Sequence, residues 1–168
     1  MITRNWYNAF KAYRAKTVLT GALKNVSGQT VNAGCYDMSS AIDHLCLREK
    51  SFLLSASVGE GIVVGSGTTP PTLDDYKLES QITTGLSAIV ATTLDADNDM
   101  IYAVTITNTS SEDITICEIG MHSYVYTSNS SSSATCLVER TVLENPITIP
   151  ASGIGLINYA IKLTIPQE

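Results

Sequence analysis

The chain has 168 residues, 44% hydrophobic and 15% charged, with ten Lys and Arg against sixteen Asp and Glu for a net charge of −6. This balance excludes a disordered chain, which carries more charge and fewer branched apolar residues, and it argues against nucleic-acid binding, which needs a basic footprint. No apolar run reaches the ~18 residues of a membrane span, and MITRNWYNAFKAYRAK lacks the apolar centre of a secretory signal, so a product with no membrane partner, kept in the cytosol or released by lysis, is expected.

Charge is unevenly placed. Residues 1–36 hold five of the ten basic residues (Arg4, Lys11, Arg14, Lys16, Lys24) and none of the sixteen acids, so this segment carries +5 and the remainder −11. Such a split suggests either a basic arm that docks on an acidic surface or a solvated helix face. Trp6, Phe10 and Tyr13 recur at i, i+4, i+7 among Ala9, Ala12 and Ala15, which is helical spacing, with a strand over Thr17 to Leu23 as a possible continuation. Residues 25–50 mix turn formers with a short apolar stripe at Ile42, Leu45 and Cys46. The division expected is an N-terminal basic anchoring segment, 1–50, followed by a β domain, 51–168.

From Ser51 onward, β-branched residues come in short runs separated by Gly, Pro, Asn, Asp and Ser clusters. Strands are predicted over Phe52–Val58, Gly61–Gly65, Leu86–Thr93, a run within MIYAVTITN, Ile114–Cys117, His122–Thr127, Thr135–Val142 and Ile147–Ile149. The last and clearest is GLINYAIKLTI, where Ile157, Tyr159, Ile161, Leu163 and Ile165 share one face. These short strands fit an antiparallel two-sheet β-sandwich of jelly-roll or immunoglobulin-like type, with a helical or extended N-terminal arm.

Few motifs carry chemistry. GSGTTPPTLDDYKLES (65–80) has glycines but no lysine and hydroxyl after them, and its two prolines remove donors, so it is not a phosphate loop. LDADNDM resembles the start of a calcium loop but lacks the Gly and Glu of an EF-hand, and reads as a hairpin turn. His44 and His122 lie apart without metal-ligand spacing; His122 sits in a predicted strand and reads as structural. Cys35, Cys46, Cys117 and Cys136 form no C-x-x-C pair and read as reduced thiols. No catalytic residue, cofactor or metal ligand is assigned, and a dispersed carboxylate pair is a hydrolase reading without positive evidence.

One resemblance adds to this. VGSGTTPPTLDDYKL, ICEIG and RTVLENPITIPA resemble, in that order, segments of β-sandwich structural proteins of tailed bacteriophages and their prophages. The matching residues include Gly65, Gly67, Pro70, Pro71, Asp75 and Leu78, then Asn108, Glu118 and Gly120, then Arg140 and Pro150. The chain departs at Ser152-Gly153, where the pattern shows glycine sooner, and a longer turn is expected. Residues 1–50 match nothing in the pattern.

The resemblance implies a non-enzymatic virion protein assembled in the bacterial host cytoplasm. It would be an accessory decoration or fibre-type component on capsid, neck or tail, with other virion proteins and copies of itself as partners. In that reading Arg4, Trp6, Phe10, Lys11, Tyr13, Arg14 and Lys16 would anchor the protein. Two alternatives stay open: a tail-completion or connector component, and a glycan-binding host-recognition module using Tyr124, Tyr126 and the loop from Ser128 to Ser133.

Overall fold

The structure, a computed structural model, describes residues 1–34, 53–54, 59–94, 100–128 and 132–161. One helix, α1 (Arg4–Ala15), precedes strands β1 (Leu19–Lys24), β2 (Thr30–Ala33), β3 (Gly61–Gly65), β4 (Leu86–Leu94), β5 (Met100–Asn108), β6 (Ile114–Tyr126), β7 (Ser133–Ile149) and β8 (Ile154–Ile161). Among the described residues β1 and β2 form a hairpin, and two three-stranded antiparallel sheets follow, in the orders β3-β6-β7 and β4-β5-β8. The protein is mainly β, as its strand-length apolar runs imply.

Two pairs of predicted strands are each a single long one. The EIGM stretch between Ile114–Cys117 and His122–Thr127 pairs with both β3 and β7, so Glu118 and Gly120 interrupt the apolar pattern without interrupting the ladder. In β7 the pairing jumps from Ile147 to Val142 while β6 advances only from Ile116 to Glu118. The intervening LENP bulges outward, with Glu144, Asn145 and Pro146 exposed, which suits a proline that has no N–H to give the ladder. Of the predicted Phe52–Val58 strand only Leu53 and Leu54 are described, and neither is in a strand, although the Leu53 N–H bonds to the Ile62 carbonyl at 2.8 Å; the 95–99 turn, His44, Cys35, Cys46 and the chain beyond 161 lie outside the described residues.

Alternation places the core. On β5, Tyr102, Val104 and Ile106 face inward and are fully buried; beside them are Ile157 and Tyr159 of β8. These join Ile62 and Val64 of β3, Ile119 and Met121 of β6, Leu23 of β1 and Ala9 and Ala12 of α1 in one cluster. Each large apolar side chain so buried contributes roughly 1.5–3 kcal/mol. The β3-β6-β7 sheet also has a second buried face, where Val63, Leu137 and Leu78 pack together. Leu78 comes from the 66–80 crossing, which lies over that face.

The outward side of β4-β5-β8 is different. Across it the residues form rows: Ser87, Thr107 and Ile154; Ile89, Thr105 and Leu156; Ala91, Ala103 and Asn158. None is charged, and Ile89, Ile154 and Leu156 are 76%, 69% and 62% exposed.

The helix docks in an unanticipated orientation. Its inward face is Asn5, Ala9 and Ala12 at i, i+4, i+7. Asn5 donates to the Lys24 carbonyl at 2.9 Å and accepts from the Lys24 N–H at 2.9 Å, and Asn8 donates to the Ala22 carbonyl at 2.6 Å. Small side chains let α1 approach β1 closely while the two amides satisfy the strand's groups. Trp6 is half-buried against the edge of the core, and the exposed Phe10 stacks on it with centroids 5.4 Å apart and planes at 3°. Thr3 precedes the helix, but its hydroxyl donates to the Leu137 carbonyl at 2.7 Å instead of capping. Ile2 bridges to Glu139, so the first residues cover part of the β7 edge.

Candidate functional site

The GSGTTPPTLDDYKLES crossing leaves β3 at Gly65 and returns to it, with Gln81 bridging Gly65 and Ile82 N–H bonded to the Val64 carbonyl at 2.9 Å. What it encloses is Glu118 on β6, fully buried. The Glu118 carboxylate accepts backbone N–H bonds from Gly67 at 3.1 Å, Glu79 at 3.1 Å and Ser80 at 2.8 Å. Its counter-charge is Arg140 on the neighbouring β7, whose Nε donates to Glu118 at 2.8 Å.

Arg140 is only 3% exposed and has further partners. Nη1 donates to Asp75 at 2.7 Å, Nη2 donates to the Thr69 carbonyl at 3.1 Å, and Nη2 lies 3.6 Å from Glu79. Asp75 in turn accepts from the Thr72 N–H at 3.0 Å and the Thr72 hydroxyl at 2.7 Å, closing a local turn. Glu79 accepts the Thr69 N–H at 2.8 Å and hydroxyl at 2.7 Å. One guanidinium thus gathers three carboxylates, two from the crossing and one from the sheet. Its planar fork suits this in a way a lysine ammonium would not.

The electrostatics follow from these contacts. Burial alone would raise the Asp75 carboxyl, but the Thr72 N–H, the Arg140 guanidinium and the Thr72 hydroxyl together hold it below the usual range. Arg140 is opposed by burial and pushed up on balance by its bonds to Asp75 and Glu118. Both groups therefore stay charged at neutral pH, and each of the three guanidinium nitrogens donates to a protein acceptor. The cluster braces the crossing to the sheet.

The two glycines belong to this brace by close approach. A Cβ on Gly65 would lie 2.5 Å from Glu118 Oε1 and 2.5 Å from the Ser80 carbonyl; on Gly67 it would lie 2.5 Å from the Glu79 Cβ and 2.6 Å from Glu118 Oε1. At Gly120 a Cβ would come within 2.8 Å of the Glu139 carbonyl and 3.0 Å of Leu78 Cδ2. Of the residues that carry the resemblance, Gly65, Gly67, Asp75, Leu78, Glu118, Gly120 and Arg140 therefore meet at one place. Pro70 and Pro71 lie in the same crossing, which turns at Leu73 and Asp74.

Pro150 is elsewhere, at the far end of β7. There Gly153 N–H bonds to the Pro150 carbonyl at 2.8 Å, closing a four-residue turn. In it Ser152 takes the left-handed conformation, φ 57°, that a glycine would take without strain. Buried Asn108 ties this turn to β5: its amide reaches the Ile149 and Pro150 carbonyls at 3.0 and 3.1 Å.

The residues expected to anchor the protein lie on α1 and its C-cap. Lys11, Arg14 and Lys16 are exposed, Trp6 and Tyr13 are half-buried, and Phe10 and Tyr7 are 41% and 46% exposed. Arg4 is the exception, since its guanidinium forms a two-bond ion pair with Asp74 of the crossing. Beside this pair a cleft of about 320 Å³ opens between β1 and the crossing, with Lys24 Nζ 4.0 Å above the Tyr76 ring. The half-buried Tyr124 and Tyr126 lie on β6, and residues 129–131 of the serine-rich loop fall outside the described residues.

Reading the chain alone missed several groups. Glu79 and Thr69 complete the Arg140 brace, and the only hint is an acid ten residues after a threonine on a proline-rich crossing. Asn5 and Asn8 bond β1, a role signalled by two amides placed on the Ala9 and Ala12 side of the helix. His122, fully buried, has no hydrogen-bond partner for either ring nitrogen among the described residues, and burial holds its pKa down at about 4. Glu139 pairs with the Met1 amine; burial raises its carboxyl, against the lowering effect of that amine and of Thr141. Cys117 and Cys136 are buried free thiols, and burial pushes Cys136 up to about 12.

Among the described residues no group of three or more His, Cys, Asp or Glu is arranged to hold a metal ion, and no helix is long and apolar enough to cross a membrane. Comparison with protein-family models, with curated proteins and with solved structures found no match.

Proposed function

We propose that the protein is a non-enzymatic structural component of a tailed-phage virion, an accessory decoration or fibre-type part held to capsid, neck or tail by the outer face of α1. In this reading the two three-stranded sheets face one another as an antiparallel sandwich across the shared core. The observation that carries the reading is the orientation of the helix. A surface helix ordinarily turns its aromatic residues inward, yet α1 seats Asn5, Ala9 and Ala12 against β1 and presents Phe10, stacked on the half-buried Trp6, with Lys11, Arg14 and Lys16. Aromatic anchors rimmed by cations are the composition of a contact surface for an acidic partner. The brace around Arg140 supports the same reading in a second way: it gives the residues behind the phage-protein resemblance a common structural purpose.

The test is incorporation into particles. Removing the N-terminal segment is unsuitable, because Ala9, Ala12 and Leu23 belong to the core. Phe10→Glu combined with Lys11→Glu and Arg14→Glu changes only exposed positions. The variant is expected to keep the wild-type circular dichroism spectrum and melting temperature but to be missing from purified particles. Incorporation at the wild-type level would exclude α1 as the anchor.

A further inference from the structure

The outward face of β4-β5-β8 has the three most exposed aliphatic side chains of the described residues, Ile89, Ile154 and Leu156. We infer that this face is a self-association surface, on which a second copy of the chain packs about a two-fold axis lying in the contact plane and running close to β5. The inference deepens the assembly role proposed above by naming a contact between copies, but its physical basis is separate from the α1 surface.

Two observations select a second copy as the occupant, and a third sets the strength of the contact. The first is charge. The chain carries −6, so two copies repel wherever their acidic surfaces meet, whereas the three rows across this sheet carry no charge. A neutral face is where like-charged copies approach without that cost. The second is register. Ile89, Thr105 and Leu156 form one straight row over three strands. Rotation about an axis along β5 brings Thr105 onto its own equivalent, and it sets Ile89 of each copy over Leu156 of the other. The same rotation places Ile154 opposite the small Ser87; an axis across the strands would set it opposite Asn158. Alternating large and small side chains is how facing sheets interdigitate, with strand directions aligned to within about 30°.

The third is area, which fixes the strength class. Three strands about 4.8 Å apart over some seven residues of about 3.3 Å make a patch of roughly 300 Å² per copy. That is well under the ~800 Å² per partner of a standard stable interface. The contact is therefore weak and concentration-dependent in isolation, and it becomes populated where copies are already held side by side.

Sedimentation velocity on the full chain, from micromolar to millimolar concentration, tests this. The wild type is expected to shift toward dimer across that range, and Leu156→Lys or Ile89→Glu to abolish the shift. The double variant Ile89→Glu with Leu156→Lys is expected to regain it at low salt, since the axis along β5 faces each introduced Glu with the other copy's Lys. Thr105→Lys, which sets two lysines against each other on the axis, serves as an independent disrupting variant if either single change fails to fold. A wild type that stays monomeric, or association that survives Leu156→Lys or Thr105→Lys, overturns the inference. Singles that disrupt with a double that does not restore overturn the axis. None of these readings depends on particle incorporation, so failure here and failure of the α1 anchor are separately visible.

Discussion

His122 offers a quantitative test of how the β3-β6-β7 sheet is built. Its ring is fully buried between the positions of Gly61 and Leu137, and burial lowers its pKa from 6.5 to about 4. The folded chain therefore keeps the imidazole neutral, while the unfolded chain takes up a proton below pH ~6.5. Above that value both states are neutral and stability is at its full level. As pH falls from about 6.5 to about 4 the unfolded state binds the additional proton, and stability drops by about 1.4 kcal/mol per unit, to a total of about 3 kcal/mol. Glu139 acts in the opposite sense, because its carboxyl is raised in the fold and gains stability as pH falls. Asp75, held low, loses its contribution only below the ordinary carboxylate pKa. Replacing His122 by Met fills a similar volume without a titrating group, and the difference between the two proteins removes the shared carboxylate terms. Urea unfolding at pH 7 and pH 4.5 should show a wild-type stability loss exceeding that of His122→Met by about 2–3 kcal/mol. Equal losses in the two proteins would mean that the ring finds a proton acceptor or water in the fold, and the burial argument would be refuted.

Two other substitutions probe the brace and the β7–β8 turn. Arg140→Met leaves Glu118 buried with only its backbone donors, and should cost about 3–5 kcal/mol in urea unfolding, whereas Asp75→Asn, which keeps the acceptor for Thr72, should cost about 1–2 kcal/mol; near-equal losses would show that Arg140 is not held chiefly by Glu118. Ser152→Gly relieves a left-handed residue of about 1 kcal/mol of strain, partly offset by the greater unfolded freedom of glycine, so the melting temperature should rise slightly, while Ser152→Val should lower it.

The strands were legible where alternation and turn chemistry agreed. Gly61–Gly65 is found with the limits its sequence implies, and the inward set Tyr102, Val104, Ile106 with Ile157 and Tyr159 follows from period two alone. Strand length was not legible at Glu118 or at Pro146, because a buried charge and a proline read as breaks until their partners are known. For Glu118 the partners are backbone donors 38 to 51 residues earlier. The helix was legible as a helix from its spacing, but its inward face was not. Hydrophobicity ranks Trp6 and Phe10 above Ala9 and Ala12, and only the proximity of β1 makes small size and amide bonding decisive. The motif residues were visible as a set on the chain; that seven of them, Arg140 included, meet at one place depends on pairing between β6, β7 and the crossing.

The brace has a consequence for the order in which the protein assembles. Its bonds join residues 22, 51 and 65 positions apart, from Arg140 to Glu118, Gly67 to Glu118 and Arg140 to Asp75. Contacts of such separation reward the chain only after the loop-closure entropy has been met and β6 and β7 already lie side by side. The crossing then closes over a sheet that is largely formed. Interactions that form after the rate-limiting step leave the folding rate nearly unchanged and slow unfolding. If the glycine-rich stretch closes in this order it is a late latch, and loosening it should speed unfolding far more than it slows folding.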